Sequence, residues 1–145
     1  MQDFRHEVDV QVRYGDVDML GHVNNANYIT YVEEARIQYA RDVFGWDGQP
    51  STLGLIVARI SIDYLQPLYS GQVIRTYTRC TRLGNKSFDL AHRMVRVTDE
   101  ATAASVETTL VAYDALAESS HPVPDRFRQG IINFEQVPPE GSHET

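Results

Sequence analysis

The sequence predicts an α+β domain in which one antiparallel sheet curls around a single long helix. Three observations predict it. The chain opens with a segment of alternating apolar residues, continues with one long stretch of helical period, and then returns to alternating segments separated by short turns. Strands that follow one another through short turns form an antiparallel meander, and segregated helix and strand runs define the α+β class.

Taken in order, residues 4–14 place Val8, Val10 and Val12 on one side and Glu7, Asp9, Gln11 and Arg13 on the other, the pattern of a half-buried strand. Over residues 25–44 the period changes. Tyr28, Val32, Ala35, Tyr39 and Val43 recur every three or four positions and form one apolar helix stripe, which Gly45 terminates as a C-capping glycine. After a loop over residues 45–54, Ile56, Ala58, Ile60, Ile62 and Tyr64 line one face of a second strand ending at Gln66-Pro67. Three more strands span residues 73–82, 88–97 and 102–113, separated by Leu83-Gly84-Asn85 and by Thr98-Asp99-Glu100. Pro122 and Pro124 lead into a short helix over residues 125–132 and a polar tail. The expectation is thus five strands, with the face from Ile56 to Tyr64 covering the helix stripe. Open sheet edges invite a dimer that pairs edge strands.

Composition narrows the function classes. A chain of 145 residues is most simply one domain, here residues 1–145 with a core at about 5–133. Hydrophobic content of 42% with 23% charged residues is that of a soluble globular protein. No apolar run approaches the roughly 20 residues that cross a membrane, and the first residues lack an apolar secretory segment. Cys80 is the single cysteine, which excludes an internal disulfide and suits a reducing cytoplasm. A net charge of -7 argues against nucleic acid as a partner, yet leaves room for a phosphorylated small molecule held by a few local cations. His6, His22, His92, His121 and His143 are scattered with no metal-ligand spacing. No Gly-rich phosphate loop and no GxSxG elbow occurs.

The densest chemistry lies in residues 14–36, YGDVDMLGHVNNANYITYVEEAR. Asp16, Asp18 and His22 stand on the approach to a helix start, where unpaired backbone N–H groups meet the positive end of the helix dipole. Asn24 and Asn25 are good N-caps. A carboxylate at Asp18 can activate water or attack a carbonyl, or it can simply close an Asx turn. His22 can move a proton beside that carboxylate, or be a loop histidine bonded to backbone. Asp16 reads as a structural cap.

DVDMLGHVNNANYITYVEEAR resembles the signature of hotdog-fold acyl-CoA thioesterases of the 4-hydroxybenzoyl-CoA thioesterase-like family, in its GHVNN form. The likeness continues through IDYLQPLYSGQVIRTYTRCTRLGNKSFDL and TTLVAYDALAESSHPVPDRFRQG, so that about residues 8–128 are covered. The resemblance implies a hotdog fold, a five-stranded antiparallel sheet wrapped around one central helix. It implies hydrolysis of a fatty or aromatic acyl-CoA with no cofactor and no metal, coenzyme A being part of the substrate. Asp18 matches the family's nucleophile or general base, and the Asn25 backbone matches its oxyanion donor. Glu33 reads as structural. The turn holding Arg82, Gly84, Lys86 and Ser87 is the expected phosphate grip, or else an ordinary solvated hairpin. Tyr28, with Tyr31 and Ile56, is expected to line the acyl site. Arg59, Arg75 and Arg79 alternate outward and are candidates for dimer contacts. Expected assembly is a homodimer or a dimer of dimers. Two other readings use the same residues: a hydroxyacyl-thioester dehydratase or hydratase built on His22 and Glu33, and a hotdog protein that only binds acyl thioesters.

Overall fold

The computed structural model describes residues 2–142, so His143 lies outside the described residues. Strand β1 spans His6–Gln11 and helix α1 spans Asn25–Phe44. A four-residue helix α2 (Pro50–Leu53) precedes β2 (Leu55–Tyr64), β3 (Val73–Leu83), β4 (Ser87–Arg96) and β5 (Thr102–Asp114). The two-residue β6 (Ser119–Ser120) and α3 (Asp125–Phe134) complete the strands and α-helices among the described residues, and Tyr14–Asp16 form one turn of 3-10 helix. All strand pairs are antiparallel in the order β1-β3-β4-β5-β2, with β6 added to the end of β5. The sheet therefore has six strands rather than five, because a two-residue strand carries no periodicity to read. Among the described residues there are three α-helices rather than one long and one short. The extra one, α2, starts at Pro50, which occupies a first-turn position where its missing N–H costs nothing.

Helix α1 begins and ends where its caps dictate. The Asn24 side chain accepts from the Ala26 N–H at 2.9 Å, and Gly45 takes the left-handed conformation at φ 71°. The helix buries Tyr28, Tyr31, Val32, Ala35, Tyr39, Ala40, Val43 and Phe44. These pack in two clusters, one with Ile74, Met94 and Val106, the other with Phe88, Leu90 and Leu110. The helix is thus covered by the central strands β3, β4 and β5. The face from Ile56 to Tyr64 is not its main cover: Ile56 and Tyr64 are each 45% exposed. Strand β2 lies at the sheet edge, and a register shift between Val57 and Arg59 breaks its alternation.

Between the clusters runs a buried polar row. The His92 ring meets Thr78 Oγ1 through Nδ1 at 2.9 Å and Thr108 Oγ1 through Nε2 at 3.2 Å. Burial holds His92 down at about 3, so it is neutral and satisfied at both nitrogens. Cys80 is fully buried and its thiol is pushed up to about 12 by burial, which makes it a packing residue.

Helix α3 closes the far end of the core. Phe127 stacks on Phe44 with centroids 4.5 Å apart, and a Cβ at Gly130 would stand 2.3 Å from the Val43 carbonyl oxygen. Only glycine permits that approach. Glu135, just past α3, is buried with Oε1 accepting from the Tyr39 hydroxyl at 3.3 Å and Oε2 without a partner among the described residues. Burial pushes its carboxyl up to about 7 against the opposing pull of Tyr39. The unfolded carboxyl titrates near 4.5, so the folded state holds the proton more tightly. Its contribution to stability is complete below pH 4.5, is lost as pH rises to about 7, and is flat above. Glu135→Gln should abolish this slope. Denaturant unfolding should show the variant gaining up to about 3 kcal/mol on wild type between the two ends of that window.

Candidate active site

Residues 18–22 form a loop closed by an antiparallel bridge between Val17 and Val23. The Asp18 N–H donates to the His22 carbonyl at 2.8 Å and the Gly21 N–H to the Asp18 carbonyl at 3.0 Å. Gly21 sits at φ +85°, a conformation that favours glycine. The Asp18 carboxylate is exposed. Its Oδ1 accepts from the Leu20 N–H at 2.9 Å, so the Asx turn exists, while Oδ2 has no hydrogen-bond donor among the described residues. His22 is half-buried, its ring edge-on to Tyr69 at 5.3 Å.

Asn25 is the first residue of α1. The N–H groups of Ala26 and Asn27 are taken by Asn24, whereas the Asn25 N–H has no partner among the described residues. That leaves one free donor at the positive end of a 20-residue helix. The Asn25 carbonyl accepts from the Tyr64 hydroxyl at 3.3 Å, tying the helix start to the end of β2.

Asp16 holds this assembly from beneath. It is buried, and its Oδ2 accepts from the Tyr31 hydroxyl at 2.7 Å and the Arg13 N–H at 3.1 Å. Its carbonyl accepts from the Asn24 N–H and the Asn27 side chain. Burial pushes the carboxyl up, but Tyr31 and Arg13 outweigh it and leave it below the ordinary carboxylate range.

Asp18 and His22 thus lie in the loop that leads into α1, and Asn25 at the start of that helix. Tyr28 lies one turn further on but inside the core, its hydroxyl 3.4 Å from the Gln66 carbonyl and its ring edge-on to Tyr64. Tyr31 is occupied by Asp16. The β3–β4 turn stands at the opposite end. There Arg82 is spent on Asp89, with contacts of 2.8 and 3.1 Å, and on Ser87 Oγ at 2.9 Å. A Cβ at Gly84 would press on Arg82 Nη1 at 2.4 Å, and the Gly84 carbonyl receives Arg128 at 2.6 Å. Lys86 is exposed and makes no ion pair among the described residues, so it is the uncommitted cation of the turn. Arg75 is paired with Asp9 across β1 and β3 at 2.8 Å.

A cavity of about 920 Å³ runs along the flank of α1 between that helix and β2 and β5. Ile37, Phe44, Trp46, Leu53, Ile56 and Leu110 supply apolar walls, and Glu33 and Arg36 lie at its other end. Ile56 is among its lining residues. The contribution of Trp46 and residues 50–54 was not legible beforehand; a glycine-bounded loop holding the chain's one tryptophan was the only signal. Among the described residues no three His, Cys, Asp or Glu side chains gather into a metal site, and no helix is long and apolar enough to cross a membrane.

The family model of the thioesterase-like superfamily matches residues 12–131. The chain belongs to the thioesterase-like superfamily. A thioesterase from Thermus thermophilus, solved with coenzyme A and Zn, superposes with a TM-score of 0.85 at 32% identity, covering 95% of this chain and 99% of that one. The long-chain acyl-CoA thioesterase FadM of Escherichia coli (strain K12) is 23% identical over 86% of this chain and 96% of its own. The uncharacterized protein YsmA of Bacillus subtilis (strain 168) is 32% identical over 56% of this chain, and the match spans 54% of YsmA. The fold is the hotdog fold, and the reaction class of this superfamily member is thioester hydrolysis.

The loop carries a carboxylate whose Oδ2 has no donor among the described residues, and the helix that follows begins with an N–H that has no partner among them.

Proposed function

We propose that this chain is an acyl-CoA thioesterase of the GHVNN type, acting as a homodimer whose sites are shared between subunits. The carrying observation is the separation of the parts. Asp18, His22 and Asn25 lie at the start of α1, while Trp46 of the cavity lining and Lys86 lie at its other end, about 30 Å along the helix. Strand β2 is an open edge of ten residues, with Leu55 at the cavity end and Tyr64 bonded to Asn25 at the loop end. Antiparallel pairing of β2 with its own copy reverses the second subunit, which carries its loop to the first subunit's cavity.

In that assembly the acyl group enters the cavity and Lys86 meets a phosphate of coenzyme A. Asp18 either takes a proton from the attacking water or attacks the carbonyl carbon itself. The Asn25 N–H and the helix dipole hold the oxyanion until the C–S bond breaks. The thiolate leaves as coenzyme A after receiving a proton, for which His22 is the nearest imidazole. The coenzyme A in the Thermus structure and the acyl-CoA substrate of FadM support this carrier. The acidic composition supports it over an acidic carrier protein. The reaction needs no cofactor, and we place the enzyme in the cytoplasm as a dimer or a dimer of dimers.

The test is thiol release from short-, medium-, long-chain and aromatic acyl-CoAs. Hydrolysis of at least one class is expected, and silence across the panel would overturn the reading. Lys86→Ala should raise KM by about fivefold with kcat nearly kept, the loss of one exposed charge contact worth about 1 kcal/mol.

A further inference from the structure

The sheet has a second face that no helix covers. Helices α1, α2 and α3 set their apolar residues into the two clusters on the inner face. On the outer face, the strand register fixes a grid of side chains. One row across β3, β4, β5 and β2 reads Arg79, Ala91, Glu107 and Ser61; the next reads Tyr77, Arg93, Ser105 and Asp63. Both cations therefore stand on β3 and β4, and both carboxylates on β5 and β2. A trough of about 420 Å³ crosses these rows, with Ala91, Ser105, Ser61 and all four charged residues in its lining. None of the four makes an ion pair among the described residues, whereas Arg75 and Arg82 of β3 are matched to Asp9 and Asp89. Arg93, Glu107 and Asp63 are exposed.

This layout is complementary to itself. A two-fold axis parallel to the strands and midway between β4 and β5 lays β4 of one copy on β5 of another, and β3 on β2. The rows stay in step, so each long charged side chain lands on a small one. Arg79 meets the second copy's Ser61, Arg93 its Ser105 and Glu107 its Ala91, while Asp63 meets the Tyr77 hydroxyl. Every charge then arrives between opposite ones: Arg93 beside Glu107 and Asp63, Glu107 beside Arg79 and Arg93. Aligned sheets stack about 10 Å apart, a gap that one interdigitated layer of side chains fills. Strands β2 to β5 are 10 to 13 residues long, and ten residues of four strands present about 19 by 33 Å. The roughly 1,200 Å² this gives for a pair of copies reaches the range of specific interfaces. We infer that the outer sheet face binds a second copy of this chain, with Arg79 and Arg93 of each seated against Glu107 and Asp63 of the other. The inference depends neither on the acyl-CoA reading nor on the pairing of β2. Where both contacts form, the assembly is a dimer of dimers.

The experiment measures native mass by light scattering at one protein concentration, with folding checked by circular dichroism. It compares wild type with an all-acidic face, Arg79→Glu/Arg93→Glu, and an all-basic face, Asp63→Lys/Glu107→Lys. Wild type should be a tetramer, and each double variant alone should show half its mass. Mixed in equal amounts, the two variants should regain the wild-type mass, because an acidic face fits a basic one. Should a double variant fail to fold, Ser105→Trp fills the trough without changing its charge and should halve the mass in the same way. If β2 does not pair, wild type is a dimer and the variants are monomers, which still supports the outer-face contact. A monomeric wild type, masses unchanged in the folded variants, or a mixture that stays at the halved mass would overturn it and leave the face to a different occupant. Thiol release is read on the same samples. Its absence in a wild type whose mass responds as expected would count against the acyl-CoA reading alone.

Discussion

Asp18→Asn is expected to fold as wild type does and to lose about 10²–10⁴-fold in kcat, the usual contribution of a positioned acid–base group. Its backbone bonds to His22 and Gly21 involve no side-chain charge, and an asparagine oxygen can still accept from the Leu20 N–H, so the loop should keep its shape. Near wild-type turnover in this variant would remove Asp18 from the chemistry. The same variant tests the shared site. Ile37→Trp should plug the cavity and inactivate its own homodimer. Mixed with Asp18→Asn, it should form heterodimers in which the plugged subunit's intact loop faces the open cavity of the other, restoring one of the two symmetric sites. Mixtures without recovered activity, once heterodimers are confirmed by mass, would mean that each site belongs to a single chain.

The second large effect concerns stability. Asp16→Leu should destabilise the fold by about 2–4 kcal/mol, because it strands the buried Tyr31 hydroxyl and the Arg13 N–H without an acceptor. Activity should fall with it, since the Asp16 residue ties the loop to the first turn of α1. Asp16→Asn keeps an acceptor and should cost much less. The sign of the pH effect follows from the lowered carboxyl. Its contribution is present above the unfolded value of 3.8 and is lost as pH falls through the lower folded value. Chemical denaturation of wild type and both variants at neutral and acid pH measures this directly; equal stability of all three at neutral pH would refute the anchoring role.

Much of the local architecture was legible because it depends on local physics. The bounds of α1 follow from a capping Asn24 and a left-handed Gly45, both readable in one dimension. Strands β3 to β5 announce themselves by alternation. The two-residue β6 escaped because it is too short to alternate. The misreading of β2 has a different cause: an apolar face looks the same whether it covers a helix or waits at a sheet edge for a partner. The cations of the β3–β4 turn could not be told apart for a similar reason. Arg82 and Lys86 are equally cationic in sequence, but only the fold puts Asp89 beside Arg82 and leaves Lys86 free.

By itself, then, the sequence determined the order of β1, α1 and the four long strands that follow, the ends of α1, and the placing of Asp18 and His22 just before that helix and Asn25 at its start. It did so because capping, periodicity and loop spacing act over a few residues. Only the tertiary structure decided that Asp16 bonds Tyr31, that Tyr28 is core, and that Trp46 joins the lining of a cavity at the end of the helix opposite the loop. Those outcomes depend on which distant segments the sheet order brings together, and long-range pairing leaves no mark in any short window of residues.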